Sequence, residues 1–227
     1  MAIRVCRGVG GIPLAIELAA ARLGALSLAQ VDERLDDQMA LLVRSRSGET
    51  AHGSLRGVLD WSHELLDPVE QVLFRRLAVF RGGATVDAVE QVCSDEILST
   101  EIVLDMLTRL VDVSLVVADR ETSRFVMLDP VRQYAARWLD AAGEMERLKH
   151  RHAIYFRELA CKAFLGAYGP AEGEWSRVCA REEPNQIAAI SWALDSEEPD
   201  LAVETAAYLT PFWMTAGRVA TGDRFLG

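Results

Sequence analysis

One stretch of the sequence leaves little choice of fold. From Ser54 to Gly143, segments of helical period are punctuated by capping residues, give way to two short β-prone runs, and then resume. Leu55, Val58 and Leu59 lead to Leu65 and Leu66 on a helix predicted to end near Asp67. Asp67-Pro68-Val69-Glu70 supplies an N-cap, a first-turn proline and an acidic third residue, so a new helix starts there. Its predicted buried side is Val69, Val72, Leu73 and Leu77, and Gly82-Gly83 stops it. Thr85 opens another helix with Val86, Val89 and Val92. A fourth begins near Ser99 and is marked by Leu104, Leu107 and Val111.

The β-prone runs are Ser114 to Ala118 and Arg124 to Leu128, joined by the polar Asp119-Arg120-Glu121-Thr122-Ser123 as a hairpin loop would be. Asp129-Pro130 then repeats the cap-plus-proline device, with Val131, Ala135, Trp138 and Ala142 lining a helix that lasts until Gly143. Helices followed by a hairpin make a winged-helix pattern, assigned to residues 54–143.

The flanks are helical too. Pro13 takes the first position of a helix, where its missing N–H costs nothing. Ile12, Ile16 and Leu23, widened by Leu14 and Leu18, form its apolar stripe. A second helix is expected over Leu28 to Leu42, completing a segment 1–43, and residues 44–53 have no periodicity and read as a linker. Residues 144–227 read as an incomplete TPR-like array of antiparallel helices, broken at Gly169-Pro170, Pro184, Glu198-Pro199 and Gly217. Trp175, Trp192, Tyr208, Phe212 and Trp213 supply its packing surfaces. The fold class is therefore mainly α: a helical segment, a winged-helix domain with one β-hairpin, then helical repeats.

Composition excludes several functions. The 227 residues carry a formal charge of −10, which opposes non-specific adhesion to nucleic acid or anionic lipid. The longest uncharged run holds 13 residues, between Glu204 and Arg218, where a spanning helix needs roughly 20. Glu17, Gly10-Gly11 and Pro13 interrupt the apolar N-terminal stretch, against a secretory signal. Cys6, Cys93, Cys161 and Cys179 lie far apart, so neither zinc nor a redox pair is indicated, and a reducing cytoplasm is expected. The 22 arginines against 2 lysines reflect the codon habit of a GC-rich bacterial genome. His150 and His152 diverge on a helix and are expected at the surface, and Ser62-His63 lacks the turn that a catalytic serine needs.

The stretch Gly11-Ile12-Pro13-Leu14-Ala15-Ile16-Glu17-Leu18-Ala19-Ala20-Ala21-Arg22-Leu23 resembles the Gly-x-Pro helix of NB-ARC, or STAND-class, signalling ATPases. Leu59-Asp60-Trp61-Ser62, Leu77-Ala78-Val79-Phe80 and Gly82-Gly83 resemble the start of their winged-helix domain. Arg124-Phe125-Val126-Met127-Leu128-Asp129-Pro130-Val131-Arg132-Gln133-Tyr134-Ala135 resembles its end. The resemblance is to bacterial transcriptional regulators of the LuxR and antibiotic-regulator type. It implies cofactor-facing positions at Gly11 and Pro13, which would pack on adenine, and at Leu128 and Asp129, in the place of the family's Met-His-Asp phosphate sensor. Leucine cannot donate a hydrogen bond to a phosphate, and Asp129 is expected to serve as a helix cap. ATP or ADP is implied for the full-length family but for no site complete in this chain. A phosphate-binding loop needs Gly-x-x-x-x-Gly-Lys-Ser/Thr, and the only lysines are Lys149 and Lys162. The expectation is the interior of a longer regulator.

A regulatory module gating a nucleotide switch competes with a free-standing winged-helix DNA binder. Charge separates them. The reading helix, about residues 101–112, carries Glu101, Asp105 and Asp112 against Arg109, net −2, and the hairpin is neutral. Such a face repels DNA. The sequence thus points to a non-catalytic regulatory module whose partner is a protein or the missing nucleotide domain. Residues 145–162 form a basic face, net +3, expected to pair with the acidic tail. Phe212, Trp213, Phe225 and Leu226 are expected to be exposed near a cut end and to promote self-association.

Overall fold

A computed structural model describes residues 2–8, 13–24, 26–32 and 50–217. Helix α1 spans Ala2–Gly8 and α2 Pro13–Ala21, with a 3-10 turn at Arg22–Gly24. Then come α3 (Thr50–Glu64), α4 (Pro68–Arg76), α5 (Val86–Cys93), α6 (Thr100–Asp112), strands β1 (Val117–Asp119) and β2 (Arg124–Val126), and α7 (Asp129–Ala141). Three long helices follow: α8 (Met145–Gly166), α9 (Glu172–Asp195) and α10 (Pro199–Thr215). This is a mostly helical chain containing a winged-helix domain, a two-stranded antiparallel hairpin and a helical region after it.

Local chemistry sets the winged-helix boundaries. Asp67 caps α4 by accepting from the N–H groups of Val69 and Glu70, while Glu70 accepts from the Asp67 N–H at 2.8 Å. That is the reciprocal capping box that the sequence suggests. Thr85 caps α5 by accepting from the Ala88 N–H at 3.2 Å. In the hairpin, Val117 pairs with Val126 and Asp119 with Arg124. Ala84 exchanges hydrogen bonds with Phe125 at 2.8 and 2.9 Å, tying the Gly82-Gly83 turn to the wing. Gly83 has φ +85°, and a Cβ there would lie 2.7 Å from the Phe125 carbonyl oxygen. Only glycine fits.

Several expectations are corrected. Helix α3 begins at Thr50, inside the stretch read as a linker, because its first turn, Thr50-Ala51-His52-Gly53, carries no large apolar residue and includes a glycine; the expected helix 28–42 lies mostly outside the described residues, as do the first residues of that linker. The buried face of α2 is Ala15, Leu18 and Ala19, with Leu23 exposed. In α6 the buried residues are Val103, Met106, Leu107 and Leu110, and Leu104 is 51% exposed. Adjacent Val103 and Leu104 fit a stripe equally well, and only the packing chooses. In α7, Tyr134 and Leu139 join Val131 and Ala135 in the core, while Trp138 and Ala142 are exposed. Asp129 is not the cap of α7. Leu128 holds the N-cap position without a side-chain bond, and Asp129 sits one residue later, paired with Arg132 at 2.9 Å. Pro184 does not break the tail but lies inside α9, packed 3.3 Å from where a Cβ on Gly82 would sit.

The main core runs continuously from Val5 and α2 through the winged helix to Phe156 and Ala189. A second core, rich in alanine, joins α8, α9 and α10 and contains Phe212 and Trp213 at 6% and 5% exposure. Those two aromatics are thus buried against neighbouring helices, contrary to the expected exposed end; Phe225 and Leu226 lie outside the described residues. No described helix is long and apolar enough to cross a membrane.

Candidate functional site

Two surfaces decide what a winged helix can do: the outer face of its reading helix and the hairpin. On α6 that face presents Glu101, Leu104, Asp105, Thr108, Arg109 and Asp112. Its one arginine is engaged. The Arg109 guanidinium reaches Glu70 at 3.3 Å and Asp67 at 3.5 Å, both belonging to the capping box of α4. Three carboxylates therefore stand where DNA phosphates would approach, and like charge opposes the approach. At the hairpin tip, the Asp119 carboxylate accepts from the Thr122 hydroxyl at 2.6 Å and from backbone N–H groups of Glu121 and Thr122. Those bonds, the Thr122 hydroxyl first, lower its pKa and hold it ionised.

Of the hairpin's two arginines, Arg120 at the tip is exposed and Arg124 points inward. Arg124, at the base of the wing, forms an ion pair with Glu182 of α9, the two side chains being 6% and 7% exposed. It also donates to the Gly83 carbonyl at 2.7 Å. Asn185, fully buried one turn beyond Glu182, donates to the same Gly83 carbonyl at 3.0 Å and to Glu182 at 2.8 Å. Its oxygen accepts from the Arg81 main-chain N–H at 2.6 Å and meets His152 Nε2 at 3.3 Å. Because that oxygen can only accept, the neutral imidazole carries its proton on Nε2. Burial, opposed by the Asn185 bond, lowers the His152 pKa to about 4. His152 is 3% exposed, so the expectation of a surface histidine fails: its face of α8 packs on Phe80 and Phe156. A buried charge is tolerated when paired and hydrogen-bonded, and here wing, turn and tail share one satisfied network.

A second junction lies where α4 and the end of α5 meet the start of α8. Arg76, with no exposed side-chain area, bonds Asp95 at 2.7 Å, Glu144 at 2.6 Å and the Cys93 carbonyl at 2.7 Å. Burial works against its charge, but the two carboxylates outweigh it and its pKa is raised. Arg76 in turn holds the Asp95 carboxyl well below the usual range. Much of the basic run of α8 is paired, mostly within its own first turns and not with the acidic tail as expected: Arg147 pairs with Glu144, Lys149 with Glu146, and Arg157 alone of these reaches the tail, at Glu204. Arg151 donates to the carbonyls of Ser94 and Gln91. Burial pushes the Cys93 thiol up to about 12 and Cys179 to about 11, so neither is a nucleophile.

The positions singled out by resemblance fall in two places. Pro13 opens α2 and is exposed, and Gly11 lies outside the described residues. Leu128 and Asp129 stand side by side and exposed at the start of α7. Sequence reasoning missed Arg76, Arg124, Glu182 and Asn185. Arginine within an apolar helical stripe is the one signal that could have flagged Arg76.

Residues 66–140 match the winged helix-turn-helix domain family. Over 224 residues, 96% of this chain, the sequence is 40% identical to proteins of Mycobacterium tuberculosis and Mycobacterium bovis provisionally named HTH-type transcriptional regulators. The match takes in 25% of each of those proteins, so the chain spans about a quarter of the length of the curated relatives it matches. It is also 34% identical over 158 residues, 68% of this chain and 40% of the relative, to an uncharacterized protein of Mycobacterium tuberculosis. No solved structure matches. The chain thus carries a winged helix-turn-helix domain and is homologous to proteins named as HTH-type transcriptional regulators.

Proposed function

We propose that this chain is a non-catalytic regulatory segment of a bacterial transcriptional regulator, acting in the cytoplasm. Its winged helix serves as a joint between the N-terminal helices and the helical tail. The observation that carries this reading is the fate of the arginines. Arg124 is buried on Glu182, Arg109 is flanked by the carboxylates of Asp67 and Glu70, and the exposed Arg120 at the hairpin tip stands in sequence between Asp119 and Glu121, so no unopposed cation is offered to a phosphate. DNA recognition normally spends such residues on base edges and backbone. The order of elements supports a role beside a nucleotide switch of the STAND or NB-ARC kind, in which Gly11 and Pro13 would face the base of ATP or ADP. Leu128, which cannot bind phosphate, marks that switch as altered. The tail would receive the signal or a protein partner.

The competing reading, a winged helix that itself reads DNA, is tested by fluorescence anisotropy with labelled duplex DNA at about 150 mM salt, where specific complexes form at nanomolar concentrations. The regulatory reading expects no complex under those conditions. Nanomolar binding that the Glu101→Lys, Asp105→Lys double variant leaves unchanged or strengthens would overturn it. Calorimetric titration with ADP checks the second half: a dissociation constant in the low micromolar range for this chain alone contradicts an incomplete nucleotide site.

A further inference from the structure

A groove of about 570 Å³ runs along α9, outside the polar network that joins wing and tail. Its floor is a single helical stripe, Pro184, Ile187, Ala188, Ser191, Trp192 and Asp195, at the i, i+3, i+4 spacing of one face. The first turns of α8 supply one wall through Glu146 and Lys149, and Arg81 closes one end. The volume lies within the range of roughly 300–1,000 Å³ typical of ligand sites.

The charges of the groove are sorted by position. In the middle they cancel: Glu146 accepts from the Trp192 indole at 2.9 Å and from Lys149 at 3.1 Å. At the Pro184 end stands Arg81. Its main chain is pinned by the 2.6 Å bond to Asn185, while its guanidinium has no hydrogen-bond partner among the described residues. Burial and the neighbouring Arg132 lower its pKa against the pull of Asp129, so its charge is incompletely compensated. At the other end stands Asp195, also without an ion-pair partner among the described residues, beside the carbonyl end of α9, which adds partial negative charge.

We propose that this groove binds an extended peptide segment of a partner protein, apolar along its middle, acidic where it meets Arg81 and basic where it meets Asp195. The stripe from Pro184 to Asp195 spans roughly 16 Å at a rise of about 1.5 Å per residue. An extended chain covers that length in about five residues at roughly 3.3 Å each. Apolar side chains would lie on Ile187, Ala188 and the Trp192 ring, and the end charges would fix direction. The groove takes such a segment whether or not α6 touches DNA.

Two pentapeptides with free termini provide the test. Lys-Leu-Val-Leu-Glu gathers positive charge at its first residue and negative charge at its last. Glu-Leu-Val-Leu-Lys has the same composition, but its terminal charges cancel those of its side chains. Isothermal titration of the full chain is expected to show saturable binding of the first peptide and at least about tenfold weaker binding of the second, because each charge-assisted contact is lost. Arg81→Glu and Asp195→Lys, both at exposed positions, are each expected to weaken the first peptide about tenfold while leaving the thermal unfolding curve in place. Equal binding of the two peptides, no binding of either at about 1 mM, or an affinity indifferent to both substitutions would overturn the proposal. So would light scattering that shows a self-associated chain whose dissociation requires Asp195→Lys and is not achieved by the peptide, since the occupant would then be a second copy.

Discussion

Arg124 of the wing and Glu182 of α9, 58 positions apart, meet as a buried ion pair that fastens the winged helix to the tail. The two residues are not equivalent in what their loss exposes. Without Glu182, Arg124 keeps only the carbonyl of Gly83 and a long contact to that of Gly82. Without Arg124, Glu182 still accepts from Asn185.

Removing one member should therefore cost more than removing both. Glu182→Leu is expected to destabilise the chain by about 3–5 kcal/mol, because it strands a buried guanidinium. The double variant Arg124→Met, Glu182→Leu should recover much of that loss, since an apolar pair of similar volume leaves no orphan charge. Urea denaturation of the single and double variants measures the coupling. Additive losses would show that the pair does not act as a unit.

Stability should fall between about pH 6.5 and pH 4 because of His152. Its folded-state pKa is lowered to about 4 from an ordinary 6.5, so the unfolded chain binds more protons over that window. Stability then rises with pH there, at a slope of at most about 1.4 kcal/mol per unit for one proton, and is fully present above 6.5. Asp95, held below the usual carboxylate range by Arg76, acts in the same sense but at lower pH. His152→Asn should reduce the slope in the first window, leaving the share of His63, whose pKa burial also lowers, and should leave the second window unchanged. Denaturant midpoints taken every half pH unit separate the two; an unchanged slope in the variant would remove His152 as its cause.

Two glycines with left-handed backbones should respond differently to alanine. At Gly83, φ is +85° and an added Cβ would meet the Phe125 carbonyl oxygen and the Val126 side chain at 2.7 Å. At Gly143, φ is +69° and nothing lies within 4 Å. Gly143→Ala carries only the backbone strain, about 1 kcal/mol. Gly83→Ala adds displacement of the wing, so its loss should exceed that of Gly143→Ala by at least about 1–2 kcal/mol. Thermal denaturation of the two variants makes the comparison, and equal losses would contradict the tight turn.

What the sequence makes legible here is local. Asp67 and Glu70 lie three positions apart and announce their capping box; Thr85 and the polar loop 119–123 announce a helix start and a turn in the same way. Contacts between distant segments are silent. Nothing in the neighbourhood of Arg124 names Glu182, and nothing near Arg76 names Asp95 or Glu144. Where two answers satisfy the same pattern, the sequence is ambiguous: Val103 and Leu104 both fit a stripe, and Asp129-Pro130 looks like a cap although Leu128 takes that position. Reading Pro184 as a break also divides the α9 stripe in two and conceals the groove. The positions Gly11, Pro13, Leu128 and Asp129 came from resemblance alone, and their chemistry requires a nucleotide domain that these residues do not include.

Three N-cap positions of the winged helix, Asp67, Thr85 and Ser99, should rank by the bonds they make. The Asp67 carboxylate accepts from two backbone N–H groups at 2.8 and 2.9 Å and belongs to a reciprocal box. The Thr85 hydroxyl accepts from one, at 3.2 Å. Ser99 occupies the cap of α6 with no side-chain bond. An N-cap bond is worth about 0.5–2 kcal/mol against alanine, so Asp67→Ala should fall near the top of that range and Thr85→Ala near its middle. Ser99→Ala should change stability by less than about 0.5 kcal/mol. Asp67→Ala also removes a partner of Arg109, but that contact is long and exposed at 57% and 45%, so it adds little. Asp67→Asn separates the two effects, since asparagine caps as well as aspartate while it carries no charge. Equilibrium denaturation of the four variants tests the order. A loss at Ser99 equal to that at Asp67 would mean that the backbone conformation of these caps, not their hydrogen bonds, sets the helix starts.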